Sequence, residues 1–220
     1  MIVAIDGTSA AGKGTLAANL VKRFDFAYLD TGALFRAVGQ ILLKAGENPE
    51  DKEKAVQAAE SLSPENILSL QKDPSIRTEE CGSAASKVAA IPEVRQILLT
   101  FQRRFALNPV KEDGTPAAGA VLDGRDIGTV VCPDAQMKVF LSASTEVRAQ
   151  RRLKELQEKG ICAIYDEILK KVKERDARDT NRQTAPLKPA VDALILDTSK
   201  MTADDVFAIV LREMKRKGLI

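Results

Sequence analysis

Nine consecutive residues near the start of the chain carry the clearest chemical signal: Gly7-Thr8-Ser9-Ala10-Ala11-Gly12-Lys13, then Gly14 and Thr15. The pattern GxxxxGK lies between a short apolar run and a helical pattern, the setting in which such a loop folds around phosphates. Glycines and small side chains let successive backbone N–H groups turn inward, the next helix offers its positive N-terminus, and Lys13 can reach a terminal phosphate. The hydroxyl that usually follows the lysine and meets Mg2+ is displaced by one position, to Thr15. An empty glycine-rich turn would account for the glycines but not for Lys13 and both flanks together.

A second set of residues is cationic and dispersed: Arg36, Arg125, Arg175, Arg178 and Arg182. Moving a phosphoryl group between two phosphates gathers negative charge, which calls for fixed cations around an in-line geometry. Arginine suits the task because its planar fork holds phosphate oxygens in pairs and keeps its charge. Arg175, Asp179 and Arg182 fall on one face of a helical pattern, where plain ion pairing would also suit them. Arg125 and Asp126 follow a buried strand, where polar residues serve no packing purpose.

The rest of the composition narrows the chemistry. The 220 residues include no histidine, which removes the usual base of nucleophilic triads and the commonest zinc ligand. Basic and acidic residues nearly cancel, 33 against 31, so neither nucleic acid nor a membrane is expected as a partner. Cys81, Cys132 and Cys162 are far apart and in no CxxC spacing, which implies neither a disulfide framework nor a metal knuckle. The apolar run at Ile2 meets Asp6 at once, without the basic and apolar regions of a signal peptide, and a cytoplasmic location is expected.

These residues must be positioned by an α/β framework. Five short apolar runs read as strands: Ile2 to Asp6, Phe26 to Leu29, Ala120 to Asp123, Met137 to Leu141 and Ala193 to Asp197. Helical patterns lie between them, among them Thr15 to Phe24, Ala33 to Ala45, Val94 to Ala106 and Tyr165 to Thr180. The alternation predicts a parallel sheet covered on both faces, with ligands beyond the carboxyl ends of its strands, where Asp6, Asp30 and Asp123 lie. Ile41 to Pro92 is longer than a simple connection needs and reads as a subdomain, and Lys111 to Gly119 reads as a loop.

Four further segments, taken in order, resemble the bacterial cytidylate kinases: Leu29-Asp30-Thr31-Gly32, the stretch from Ile76-Arg77-Thr78 to Ala90, Asp123-Gly124-Arg125-Asp126-Ile127-Gly128-Thr129, and Lys173-Glu174-Arg175-Asp176 to Arg182. The resemblance spans nearly the whole chain. It implies a P-loop nucleoside-monophosphate kinase fold with a five-stranded parallel sheet flanked by helices, one domain over residues 1–220, a mobile acceptor-binding segment over 32–110 and a lid with its flanking helices over 146–182. It implies transfer of the ATP γ-phosphoryl group to CMP or dCMP with Mg2+, by a monomer.

By that resemblance Arg36, Arg125 and Arg182 hold the acceptor phosphate, Arg175 and Asp179 its sugar, and Ser86, Arg95 and Asp126 its cytosine ring. Thr31 stands beside the acceptor or caps the helix beginning near Gly32, and Ser86 reads equally as a small packed residue. Lys13, Arg125, Arg182 and Arg151 are the expected catalytic cations. Arg148, Arg151 and Arg152 fall in the lid or form a solvated helical face with Glu146 and Glu155. Thr15, and Asp123 or Asp30 through water, are the candidates for Mg2+. Ser63 to Pro74 is short where related kinases carry a β-rich insert. Rival readings are a kinase for UMP, AMP or a phosphate-free metabolite, and a nucleotide-dependent switch, although no NKxD guanine motif is present.

Overall fold

The computed structural model describes residues 1–62 and 73–220. Five strands form one wholly parallel sheet: β1 (Ile2–Gly7), β2 (Ala27–Asp30), β3 (Ala120–Gly124), β4 (Met137–Ser142) and β5 (Leu194–Asp197), in the order β2-β3-β1-β4-β5. Among the described residues the α-helices are α1 (Lys13–Phe24), α2 (Thr31–Lys44), α3 (Lys52–Glu60), α4 (Glu79–Val88), α5 (Pro92–Leu107), α6 (Thr145–Glu158), α7 (Tyr165–Asn181) and α8 (Ala203–Arg216). A single π turn, Ile127–Val131, follows β3.

Strand residues alternate between two cores, as a pleated sheet covered on both faces requires. Val3 and Ile5, Val121, and Met137, Val139 and Leu141 point into one core, closed by Leu16, Leu20, Val206, Val210 and Met214 of α1 and α8. Ala4, Leu29, Ala120 and Leu122 point the other way, against Leu34, Val38, Ala58, Val88, Val94 and Leu98 of α2 to α5. The segment expected to form a subdomain around Ile41 to Pro92 therefore shares a continuous core with the sheet. The insert region noted at Ser63 to Pro74 lies, for residues 63–72, outside the described residues.

A third, smaller core joins α6 to α7, where Ala149, Leu156, Ile168 and Val172 meet. These two helices form a hairpin with its own apolar seam, set over the carboxyl edge of the sheet. The ends of the elements are fixed by side-chain caps: Asp30 on Ala33 N, Asp51 on Lys54 N, Thr78 on Cys81 N and Ser144 on Val147 N. At α8 the cap is reciprocal, between Thr202 and Asp205.

Three expectations need correction in detail. The helix after β2 is capped by Asp30 rather than by Thr31, whose hydroxyl instead donates to the Asp123 carbonyl at 2.7 Å. Arg148 is not on a solvated face: it is 3% exposed and bonded on several sides. Strand β2 begins one residue later than the apolar run suggests and takes in Asp30, which pairs with Asp123 across the sheet.

Candidate active site

The loop after β1 is built by backbone. Gly7 has φ +143°, and a β-carbon there would sit 1.9 Å from the Leu141 carbonyl oxygen, so the chain can pass that close to β4 only as glycine. Gly12, at φ +98°, turns the chain into α1 without a side-chain cap, leaving the first N–H groups of that helix for a ligand. Thr8 N donates to the Leu141 carbonyl at 3.1 Å, which pins the loop to the centre of the sheet.

Lys13 folds back over this loop and donates to the Thr8 carbonyl at 2.9 Å. Burial, helped by the neighbouring Arg125 charge, pushes its ammonium down to about 7. Below it, burial and the Asp30 charge push Asp123 up to about 7, while the Tyr28 hydroxyl donates to Asp123 Oδ2 at 3.0 Å. Asp6 accepts from the amides of Ile127 and Gly128 at 2.7 and 2.8 Å, tying the end of β1 to the turn that carries Arg125 and Asp126. Burial raises Asp6 to about 6 in spite of those bonds.

One cavity opens beyond the loop and is lined by Gly12, Thr15, Arg151, Thr198, Met201 and Thr202. There is a second cavity, where most of the residues expected to hold an acceptor lie. Thr31, Ser86, Arg95, Arg125, Asp126, Arg175, Asp179 and Arg182 line it. Of the residues expected to hold an acceptor, only Arg36 lies outside it. It lines an adjoining cleft together with Ser9, Ala10 and Arg175, so Arg175 faces both spaces and the cleft runs from the loop to the second cavity.

Most cations here are already paired. Arg125 Nε donates to Asp179 Oδ2 at 2.7 Å, and Arg175 Nε lies 3.9 Å from the same oxygen. Against the pull of burial, Arg125 and Arg175 hold the Asp179 carboxyl below its ordinary value. Arg95 is bonded to Asp126 Oδ2 and stacks on the Phe35 ring, 5.5 Å from its centroid, while Arg182 approaches the other Asp126 oxygen at 3.8 Å. Two buried nitrogens, Arg175 Nε and Arg182 Nη2, have no hydrogen-bond acceptor. A buried charged donor without an acceptor is costly, and an anionic ligand in this cavity would satisfy it.

The three arginines of α6 divide among three places. Arg148 reaches the Ser9 carbonyl of the loop at 3.3 Å and pairs with Asp176 of α7. Arg151 grips Thr198 at the cavity beyond the loop, and Arg152 pairs with Glu79 of α4 across the adjoining cleft.

The sequence profile of the family described as cytidylate kinase matches residues 3–216. The chain belongs to the cytidylate kinase family. It is 56% identical to a cytidylate kinase of Paramagnetospirillum magneticum over 96% of this chain and 95% of that one, and 51% identical to one of Rhodospirillum rubrum over 99% of each. Among solved structures, an uncharacterised protein from Eubacterium ventriosum aligns over 98% of both chains at 13% identity with a TM-score of 0.53, a likeness of fold alone.

Several contacts of the site escape a reading of the family pattern. Tyr28 carries the hydroxyl on Asp123, Arg77 pairs with Asp30 at 2.7 Å, and Thr198 joins three elements at the cavity beyond the loop. Arg178 donates to the Ser86 hydroxyl at 3.1 Å, linking α7 to α4. Tyr28 lies inside β2 and Thr198 directly after β5, positions where side chains look like ordinary packing, and only the pairing of β2 with β3 and β4 with β5 brings them to the site.

Proposed function

We propose that the chain transfers the γ-phosphoryl group of ATP to CMP or dCMP, giving ADP and CDP or dCDP. The observation that carries this reading is the acceptor cavity. It gathers Arg125, Arg175 and Arg182, suited to a phosphate and sugar, together with Ser86 and the paired Arg95 and Asp126. Asp126 can accept from the exocyclic amine of cytosine, and Arg95 can donate to its ring carbonyl. Uracil would place a carbonyl against the Asp126 carboxylate, so it is disfavoured. Membership of the cytidylate kinase family supports the same substrates.

The loop Gly7 to Thr15 holds the ATP phosphates, with Lys13 turning from the Thr8 carbonyl to the transferred group. Arg125 and Arg182 hold the acceptor phosphate, with Arg36 at the cleft through which the two nucleotides meet. Arg175 and Asp179 take the sugar. The acceptor is already an anion, so no protein base is needed: the residues align an oxygen with the γ-phosphorus and neutralise charge that builds up there.

Mg2+ would be held at this site by Thr15 and Asp123. Thr15 lines the cavity beyond the loop, and the Asp123 carboxyl faces Gly14, where an added β-carbon would lie 3.9 Å from its Oδ2. When bound, the ion supplies charge neutralisation at the β- and γ-phosphate oxygens.

We assign residues 32–110 to acceptor binding and residues 146–182 to the lid, whose separate apolar seam between α6 and α7 supports movement as one piece. Closure would exclude water and prevent loss of ATP to hydrolysis. The protein is proposed to act as a monomer on small-molecule nucleotides, in the cytoplasm. Among the described residues no helix is long and apolar enough to cross a membrane.

The test is a product assay with Mg2+, ATP and CMP, dCMP, UMP, AMP or no acceptor, following ADP and the phosphorylated acceptor together. ADP formation that depends on acceptor and is fastest with CMP and dCMP is expected. ADP formed equally without acceptor would overturn the kinase reading.

A further inference from the structure

Three carbonyls of the phosphate loop accept from side chains. Lys13 Nζ donates to Thr8, Arg148 Nη1 to Ser9, and Thr198 Oγ1 to Ala11, the last at 3.0 Å. In a planar trans peptide the carbonyl points opposite to the N–H of the next residue. Anchoring the Ala11 carbonyl on Thr198 therefore turns the Gly12 N–H away from Thr198, at the residue whose left-handed backbone starts α1.

Thr198 is well placed for such a role. It directly follows β5 and is 2% exposed. Its hydroxyl also lies 3.1 Å from the Ser142 carbonyl at the end of β4, and its own N–H donates to that carbonyl at 2.7 Å. Arg151 Nη1 donates to the same hydroxyl at 3.0 Å and Nη2 to the Thr198 carbonyl at 2.6 Å. One buried side chain thus connects the loop, the sheet edge beside it and the hairpin helix above it.

We propose that Thr198 is a positioning residue for the donor nucleotide: it sets the orientation of the Ala11–Gly12 peptide and holds Arg151 against the donor cavity. The inference rests on the reading of the loop as the ATP site and adds a residue that acts through the loop, without touching the reacting atoms. Valine keeps the shape of threonine but removes both the donor and the acceptor, whereas serine keeps the hydroxyl.

The test compares Thr198→Val, Thr198→Ala and Thr198→Ser with the parent protein by direct titration with ATP in the absence of acceptor, followed by steady-state assays with each nucleotide varied in turn. ATP binding weaker by about tenfold in the valine and alanine variants is expected, the scale of losing one or two hydrogen bonds. The serine variant should return to within about twofold, and the KM for CMP at saturating ATP should stay within about twofold throughout. Combining Thr198→Val with Arg151→Gln should cost less than the sum of the two, because the first change already removes one of the two bonds between Arg151 and Thr198.

Unchanged ATP affinity in both the valine and alanine variants would overturn the proposal. So would parallel losses of ATP and CMP affinity, which would mark Thr198 as structural only. If the parent protein bound ATP but phosphorylated no cytidine nucleotide, the proposed function would fall, while the ATP titrations would still decide the role of Thr198.

Discussion

The proposed donor and acceptor sides of the molecule are built by opposite means. The donor loop is a run of nine contiguous residues whose shape comes from backbone, with Gly7 pressed on Leu141 and a single buried cation, Lys13. The acceptor cavity draws on residues from Thr31 to Arg182, and its shape comes from side chains already paired with one another. A backbone cradle recognises phosphate of any nucleotide, since N–H groups carry no information about a base. A network of paired arginines and aspartates can tell one base from another, because each member is held at a set angle by its partner.

The largest effect should come from breaking the acceptor network at its centre. In Arg125→Lys the charge survives but the fork does not: a lysine cannot bond Asp179 and the Gly124 carbonyl while also presenting N–H groups to a phosphate. We expect kcat/KM for CMP to fall by about 10²- to 10³-fold with ATP binding unchanged. Steady-state kinetics with ATP titrations would check this. A comparable loss of ATP affinity would show that the two sides are not separable.

Specificity should respond at Asp126. Asp126→Asn keeps a partner for Arg95 but exchanges one acceptor for a donor, which a uracil carbonyl can use. The ratio of kcat/KM for CMP over UMP is expected to drop by about 10- to 100-fold, the scale of a hydrogen bond to a charged group. Competition between the two acceptors in one reaction gives that ratio directly. An unaltered ratio would move base recognition away from Asp126.

The same contrast explains what could be read from sequence. The donor loop is local, so its spacing and flanks are sufficient, and the parallel sheet follows from apolar runs alternating with helical patterns. Strand limits differ only at the edges, as at Asp30, where one residue ends a strand and caps a helix. The acceptor set is separated by up to about 150 positions, so no periodicity gathers it and the family pattern is what points to it. Tyr28, Thr198 and the burial of Arg148 could not be read because each depends on pairing between distant elements: Tyr28 with Asp123, Thr198 with Ala11, and Arg148 with Asp176. A helix bearing three arginines looks solvated until its hairpin partner is known.

The smallest expected effect concerns protons. Lys13 lies near 7 in the nucleotide-free protein, against 10.5 for a free lysine, so between those values the folded chain holds fewer protons than the unfolded one. Its depressed value therefore costs stability at neutral pH, a cost that fades as pH rises from about 7 towards 10.5. A polyphosphate beside Lys13 favours the ammonium again, so binding ATP at pH 8 without metal should take up a fraction of a proton. Asp123, raised to about 7, would shift in the same sense beside an added anion. On the acceptor side Arg175 and Arg182 stay near 10 even after burial and repulsion lower them, so they remain charged at pH 8 and CMP should bring little uptake. Calorimetric titrations in buffers of different ionisation enthalpy measure both quantities. Lys13→Arg, which cannot lose its charge, should remove most of the uptake with ATP. Uptake retained in that variant would assign the proton to Asp123, and release in place of uptake would show that the donor side does not adjust its charge as the burial of Lys13 implies.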